Sequence, residues 1–240
     1  MVLSPGELAA FRGVIERRIG GEPLQYITGY QEFWSIPFKV DSSVLIPRPE
    51  TEVLVEEALR LIDREGRQKP RIAEVGTGCG AIAISIAKSN PSTRIVATEI
   101  SWEALVLARE NALAQDVTSR ISFVQGNVLS FVKSTGGVFD LIISNPPYIK
   151  RGDINNLQPE IRDFEPRKAL DGGFDGLDFY RRLLAEIPPC LRTGGWLILE
   201  MGADQSADIV ELAKQIGGLK EARISSDYSG KSRALIAQKG

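Results

Sequence analysis

Short apolar, β-branched runs alternate with longer stretches of helical spacing, most regularly from residue 71 onward. Runs near 71–75, 94–99, 121–125, 139–144 and 195–201 read as buried parallel strands bounded by turn residues, and runs near 220–227 and 232–238 read as two more. Helical spacing predicts helices near 80–89, 102–114, 177–190 and 203–216. Such alternation means a mostly parallel sheet with helices on both faces. The last two runs are joined by Tyr228-Ser229-Gly230-Lys231, which predicts a hairpin and an antiparallel last strand. The expected fold is therefore α/β: a Rossmann-like sheet of seven strands with the last one antiparallel.

The chain upstream of residue 71 follows another pattern. Residues 4–19 predict one amphipathic helix, with Ser4 as N-cap, Pro5 at the first helical position and Glu7 three residues beyond the cap. Leu8, Phe11, Val14, Ile15 and Ile19 form its apolar stripe, and Gly20-Gly21 ends it. Residues 22–46 are aromatic and β-branched, with turn residues at Gly29, Pro37 and Asp41-Ser42. They predict a small β-hairpin around Phe33 to Val40. Pro47-Arg48-Pro49-Glu50-Thr51-Glu52 opens a further helix running to about Glu65, with Glu50 and Glu52 in the first turn where the helix dipole favours them. The chain thus divides into a helix over 1–21, a hairpin linker over 22–48 and the α/β domain over 49–240. Residues 149–176 are a long connection rich in Asp, Asn, Arg and Gly, expected to be a flexible flap on the substrate side, with Asp153, Asp163, Asp171 and Asp175 as turn formers. Trp102, Trp196, Met201 and Phe139 read as packing residues. Phe33 and Trp34 fit either hairpin packing or a substrate channel.

Composition narrows the chemistry. The chain has 240 residues, 43% hydrophobic and 25% charged, which is ordinary for a globular protein. A formal net charge of -2 argues against retention on nucleic acid by general electrostatics, so no direct nucleic-acid partner is expected. There is no histidine, which removes Ser-His-Asp and Cys-His catalysis and most zinc sites. The two cysteines, Cys79 and Cys190, make neither a disulfide framework nor a metal centre, so no metal is expected and a reducing compartment fits. No run approaches the ~20 apolar residues of a membrane span, and the N-terminus lacks a signal-peptide core. A soluble, cytoplasmic protein without a membrane partner is expected.

Two stretches carry chemistry. Glu74-Val75-Gly76-Thr77-Gly78-Cys79-Gly80 joins the first strand of the alternating region to an Ala-rich helix, the context in which a glycine-rich turn brings a ligand to a helix N-terminus. Glu99 ends the next strand, 23 residues after Gly76, where a carboxylate can hold two ribose hydroxyls. A nucleoside-bearing cofactor is expected. Gly76-x-Gly78-x-x-Ala81 fits the dinucleotide pattern and Gly76-x-Gly78-x-Gly80 fits that of S-adenosylmethionine, so the loop alone leaves the choice open. The second stretch, Asn145-Pro146-Pro147-Tyr148, follows the strand ending at Ser144. Its prolines make a stiff ridge of carbonyls, Asn145 adds a side-chain carbonyl and Tyr148 an aromatic face. These suit a planar amino group and offer no hydride chemistry, which favours S-adenosylmethionine.

With those residues in place, the chain resembles the class I S-adenosylmethionine-dependent methyltransferases that act on amino groups conjugated to planar systems. Within them it resembles the release-factor glutamine methyltransferases of the HemK/PrmC type. That resemblance covers about residues 22–240. It rests on Glu22-Pro23-Leu24-Gln25-Tyr26-Ile27-Thr28-Gly29, on Phe33-Trp34, and on Val44-Leu45-Ile46-Pro47-Arg48-Pro49-Glu50-Thr51-Glu52. It also rests on Glu165-Pro166-x-x-Ala169-Leu170, Gly172-Gly173, Asp175-Gly176-Leu177 and Tyr180. The resemblance implies N5-methylation of the glutamine in the Gly-Gly-Gln loop of peptide-chain release factors. It implies a cofactor site at Gly76, Thr77, Gly78, Cys79, Gly80 and Glu99, with Asn127-Val128 near the adenine and Asn145 beside the cofactor. The glutamine would be held by Asn145, Pro146, Pro147 and Tyr148. Glu74 and Glu99 stand where the family usually has Asp, Cys79 where Ser is common, and Gly126-Asn127 where Ser-Asp is usual. These changes keep size, charge or an acceptor, so cofactor binding is expected to survive. A several-helix front domain is usual in the family, whereas about one helix is expected here.

In the mechanism this predicts, the Asn145 side-chain carbonyl and the Pro146 backbone carbonyl each accept one amide N–H, and Tyr148 stacks on the amide plane. Asn145, Pro146 and Tyr148 are thus the expected catalytic residues. The competing readings are an adenine N6-methyltransferase on nucleic acid, disfavoured by the charge balance, and a non-catalytic subunit of the same fold serving as a partner scaffold. An NAD(P) oxidoreductase lacks a candidate proton donor.

Overall fold

The structure, a computed structural model, describes residues 4–130, 137–216 and 218–240. Helix α1 (Pro5–Ile19) starts as the sequence predicts: Ser4 accepts from the Glu7 N–H, and Glu7 accepts from the Ser4 N–H in a capping box. None of its residues is buried, however. Ion pairs of Arg17 with Glu22 and Arg18 with Glu160 tether it, a weak hold for exposed charges. A one-turn helix α2 (Leu24–Thr28) follows, which the sequence pattern did not reveal.

The predicted hairpin exists but sits earlier. Strands β1 (Tyr30–Phe33) and β2 (Ile36–Lys39) pair antiparallel around Trp34 and Ser35, both with positive φ. Pro37 lies inside β2 rather than at a turn. Phe33 and Phe38 are fully buried against helices α3 (Glu52–Glu65), α4 (Ala81–Ser89) and α5 (Trp102–Ala114) in one hydrophobic cluster. The Trp34 N–H donates to Glu52 at 2.7 Å and its indole N–H to Ser89 at 3.0 Å. Packing, not channel lining, is what the pair does.

The main sheet contains β3 (Arg71–Val75), β4 (Arg94–Glu99), β5 (Ile121–Gln125), β6 (Phe139–Ser144), β7 (Leu191–Glu200), β8 (Leu219–Ser226) and β9 (Ser232–Lys239). Its order is β5-β4-β3-β6-β7-β9-β8, all parallel except β9, which runs antiparallel to both neighbours. Alternate residues feed opposite faces: Ile72, Leu141 and Ile143 join the cluster under α3, α4 and α5. Ala73, Ile142 and Leu199 join one under α7 (Asp178–Glu186) and α8 (Ser206–Ile216). Both faces are thus buried, as parallel strands require. Phe139, Trp196 and Met201 lie in these cores as expected, while Trp102 is half exposed beneath the Arg109 guanidinium.

Between β6 and α7 the chain is not the loose flap that its composition suggested. It carries helix α6 (Pro159–Phe164) and three-residue to six-residue helical turns at Arg151–Asn156 and Arg167–Ala169. Glu165, almost wholly buried, pairs with Arg48 and fastens the segment to the linker. Asp171 and Asp175 accept from the Gly173 and Leu177 N–H groups, turn formers as predicted.

Candidate active site

Chain order fixes where a site can form. From β3 the chain moves outward to β4 and β5, then crosses back to place β6 on the other side of β3. The crevice between the carboxyl ends of β3 and β6 is the switch point at which open α/β sheets bind ligands. Val75 pairs with Ser144, so Gly76 and Asn145 leave the sheet side by side, and the Ser144 hydroxyl ties the two strand ends by donating to the Val75 carbonyl at 2.7 Å. A cavity of about 510 Å³ opens there, within the size range of small-molecule sites.

The glycine turn is held from beneath. The Gly76 and Thr77 N–H groups donate to the Thr98 carbonyl at 2.9 Å. One oxygen of Glu74 accepts from the Thr77 hydroxyl at 2.5 Å and from the Ala83 N–H at 3.2 Å. Full burial pushes the Glu74 carboxyl up to about 8 against those stabilising bonds. Cβ atoms placed on Gly76 or Gly78 meet nothing within 4 Å, so the open space before them is the cavity itself. Gly80 differs: it begins α4 with φ +88°, and a Cβ there would come within 2.8 Å of Ile84. Its missing side chain serves helix packing, and it is not in the cavity wall.

Glu99 is aimed by three main-chain donors: Gly78 at 3.0 Å on one oxygen, Ile100 at 2.8 Å and Ser101 at 3.0 Å on the other. It lines the cavity with Thr77, Cys79, Ile100, Asn127 and Val128. Burial pushes the Cys79 thiol up to about 12, so it lines the wall as a neutral group. Val128 has φ +56°, unusual for a β-branched residue and the kind of strain that collects at ligand sites. Asn127 departs from expectation, because its side-chain carbonyl already accepts from Arg182 of α7 at 2.7 Å.

These walls fit S-adenosylmethionine. An oriented carboxylate faces where ribose hydroxyls would lie, a glycine turn gives close approach to the helix start, and Ile100 and Val128 offer apolar surface to a flat base. The linker adds Ser42, Val44, Pro47 and Arg48, and the segment before α7 adds Pro166, Lys168 and Ala169. Sequence reading assigned none of these to the site.

Asn145 and Pro147 line the cavity; Pro146 and Tyr148 do not. Pro146 is buried. Tyr148 is packed against the β7 side of the core, its hydroxyl 3.5 Å from the Glu200 carboxylate, and burial raises its pKa. A phenol so enclosed is not the free stacking plate expected of it; it anchors the ridge. The Asn145 Nδ2 group donates to the Thr51 hydroxyl at 3.3 Å. Thr51 and Glu200 were missed by sequence reading. The available signal was an acid closing the wholly apolar run Trp196-Leu197-Ile198-Leu199 at a strand's carboxyl end.

The geometry agrees with the kinship of the chain. A family model described as "Methyltransferase small domain" matches residues 51–161, and one described as "PrmC N-terminal domain" matches residues 1–29. A release factor glutamine methyltransferase of Moorella thermoacetica is 43% identical over 235 residues, covering 98% of this chain and 81% of that protein. One from Geobacter sulfurreducens is 45% identical over 215 residues, 90% of this chain and 73% of that protein. Among solved structures, a methyltransferase from Pyrococcus furiosus superposes with a TM-score of 0.58 at 18% identity, covering 96% of this chain and 98% of its own. That last likeness is one of fold.

Proposed function

The chain belongs to the release factor glutamine methyltransferase family, and on that premise we propose that it transfers a methyl group from S-adenosylmethionine to the side-chain amide nitrogen of the glutamine in the Gly-Gly-Gln loop of a peptide-chain release factor. The observation that carries this reading is the placement of Asn145 beside the glycine turn, in one cavity at the switch point. S-adenosylmethionine supplies an electrophilic methyl group on a sulfonium. Gly76, Thr77, Gly78 and Cys79 would form its cradle, with Gly80 starting the helix behind it, and Glu99 would take the ribose hydroxyls. Val128 and Ile100 would flank the adenine. Asn127, engaged by Arg182, offers its remaining acceptor and donor capacity.

A glutamine amide is a poor nucleophile because its nitrogen lone pair is delocalised into the carbonyl. The enzyme's contribution is therefore aim and charge. The Asn145 side-chain carbonyl and the Pro146 main-chain carbonyl, which belongs to the peptide bond of the cavity-lining Pro147, would accept the two amide N–H bonds and aim the nitrogen at the methyl donor. The same dipoles stabilise positive charge growing on that nitrogen, whose acidified proton then leaves to water. Pro147 stiffens the ridge, and Tyr148 fixes it to β7. Residues 49–240 hold this machinery, with the 22–48 linker closing one wall and helix α1 apart from it. Among the described residues no helix is long and apolar enough to cross a membrane, and we infer a cytoplasmic setting with a protein rather than a nucleic acid as substrate.

The test is labelled methyl transfer to a purified release factor, to its variant with the loop glutamine replaced by alanine, and to DNA. Label on the unaltered factor alone is expected. Label on the alanine variant or on DNA would overturn the reading.

A further inference from the structure

Asn111, on α5, is a polar side chain only 3% exposed. Its side-chain carbonyl accepts from the Lys39 N–H at 2.8 Å, and its NH2 group donates to the Lys39 carbonyl at 3.0 Å and to the Cys79 carbonyl at 2.9 Å. A primary amide has two N–H bonds and one oxygen, so both N–H bonds are used and the oxygen is engaged. Lys39 fixes the orientation of the amide, because its N–H needs an acceptor and its carbonyl a donor.

Both partners are main-chain groups with a place near the site. Lys39 ends β2, and the N–H of the next residue, Val40, donates to the Gly29 carbonyl across the hairpin at 3.0 Å. Antiparallel pairs alternate, so Lys39 turns its own N–H and carbonyl to the outer edge, where a further strand would pair. Asn111 takes the place of that strand. A few residues on, Ser42, Ser43 and Val44 line the cavity, and the Tyr26 hydroxyl holds the Val44 carbonyl at 2.6 Å. In the glycine turn the Cys79–Gly80 peptide is held on both sides, its carbonyl by Asn111 and its N–H by the Thr77 carbonyl at 2.8 Å. One side chain thus joins two walls of the cavity that come from distant parts of the chain.

We propose that Asn111 is a positioning residue for S-adenosylmethionine that couples the hairpin linker to the glycine turn: filling the cavity stiffens the hairpin, and loosening the hairpin weakens the cofactor. Linkage makes the coupling reciprocal. It acts on cofactor binding and not on the reacting nitrogen, since all three bonds of Asn111 go to the hairpin and the glycine turn.

This inference rests on S-adenosylmethionine filling the cavity and is independent of the methyl acceptor. Asn111→Ala should raise the calorimetric Kd for S-adenosylhomocysteine roughly tenfold, because buried main-chain groups lose their partners. In turnover the KM for S-adenosylmethionine should rise with kcat unchanged. Lys39→Pro deletes the N–H that Asn111 accepts, at the hairpin edge and outside the core. It should raise the same Kd roughly fivefold, whereas Lys39→Ala, which keeps the main-chain groups, should bind as the wild type does. S-adenosylhomocysteine should also slow hydrogen exchange at the Val40 amide in the wild type but not in Asn111→Ala. An unchanged Kd in Lys39→Pro, a loss of kcat at unchanged KM in Asn111→Ala, or Val40 protection that survives in Asn111→Ala would overturn the inference. If Asn111→Ala does not fold, Lys39→Pro decides alone. Failure of the wild type to bind S-adenosylhomocysteine would overturn the cofactor assignment and this inference together. Failure to methylate a release factor would overturn only the proposed function.

Discussion

Asn145 and Glu99 divide the work at the level of single side chains, so their variants should fail differently. Asn145→Ala removes one preorganised dipole from the reacting nitrogen. It should cut kcat by roughly 10²-fold and leave the Kd for S-adenosylmethionine nearly unchanged by calorimetry; near-normal turnover would remove Asn145 from the mechanism. Glu99→Ala deletes an acceptor that three main-chain N–H groups orient toward the cavity. Charge-assisted bonds are worth about 1.5–3 kcal/mol, so its cofactor Kd should rise by about tenfold or more; an unchanged Kd would show that the carboxylate does not meet the ribose. Both residues were legible because each is a polar group at the carboxyl end of an apolar run. Thr51 and Glu200 were not, because their meaning lies in contacts with Asn145 and Tyr148, residues far from them in the chain.

At the scale of elements, the ridge keeps its position because Gly172 lies against it. A Cβ on Gly172 would come within 2.8 Å of the Tyr148 main chain, closer than real contacts allow. Gly172→Ala should therefore lower kcat more than it lowers Tm, since the sheet is untouched while the ridge must shift. A variant with wild-type kcat and a large loss of Tm would contradict that assignment. Why some elements could be read and others not follows from similar particulars. The core strands β3, β4, β5 and β6 are apolar runs ended by turn residues, so burial alone defines them. The hairpin was displaced because its turn is built from Trp34 and Ser35 at positive φ, without the glycine or asparagine that usually marks one. The 149–176 segment is tied to the linker by the long-range Arg48–Glu165 pair and to the start of α8 by Gln205, which donates to the Gly176 carbonyl; no local pattern predicts either.

The molecule as a whole carries a charge strain near its site. Desolvation raises the Glu74 carboxyl to about 8 and the Glu200 carboxyl to about 7, whereas an unfolded glutamate titrates near ~4.3. The folded protein thus holds protons that the unfolded chain has given up. The stability these two groups contribute is present in full below about pH 4.3 and declines as pH rises through about 7 to 8. Tm should fall over that window, and Glu74→Gln should flatten the fall; an unchanged slope in that variant would show that Glu74 is ionised throughout. Fold and catalysis meet in one claim, that the switch-point cavity aims a glutamine amide nitrogen at a sulfonium methyl. Fragment mass spectrometry of a release factor after incubation with the enzyme and S-adenosylmethionine tests it most directly. The account predicts a single added methyl on the side-chain nitrogen of the loop glutamine, absent when Asn145→Ala replaces the wild-type enzyme at equal time. A methyl on any other residue, or on the glutamine at undiminished rate with Asn145→Ala, would contradict it.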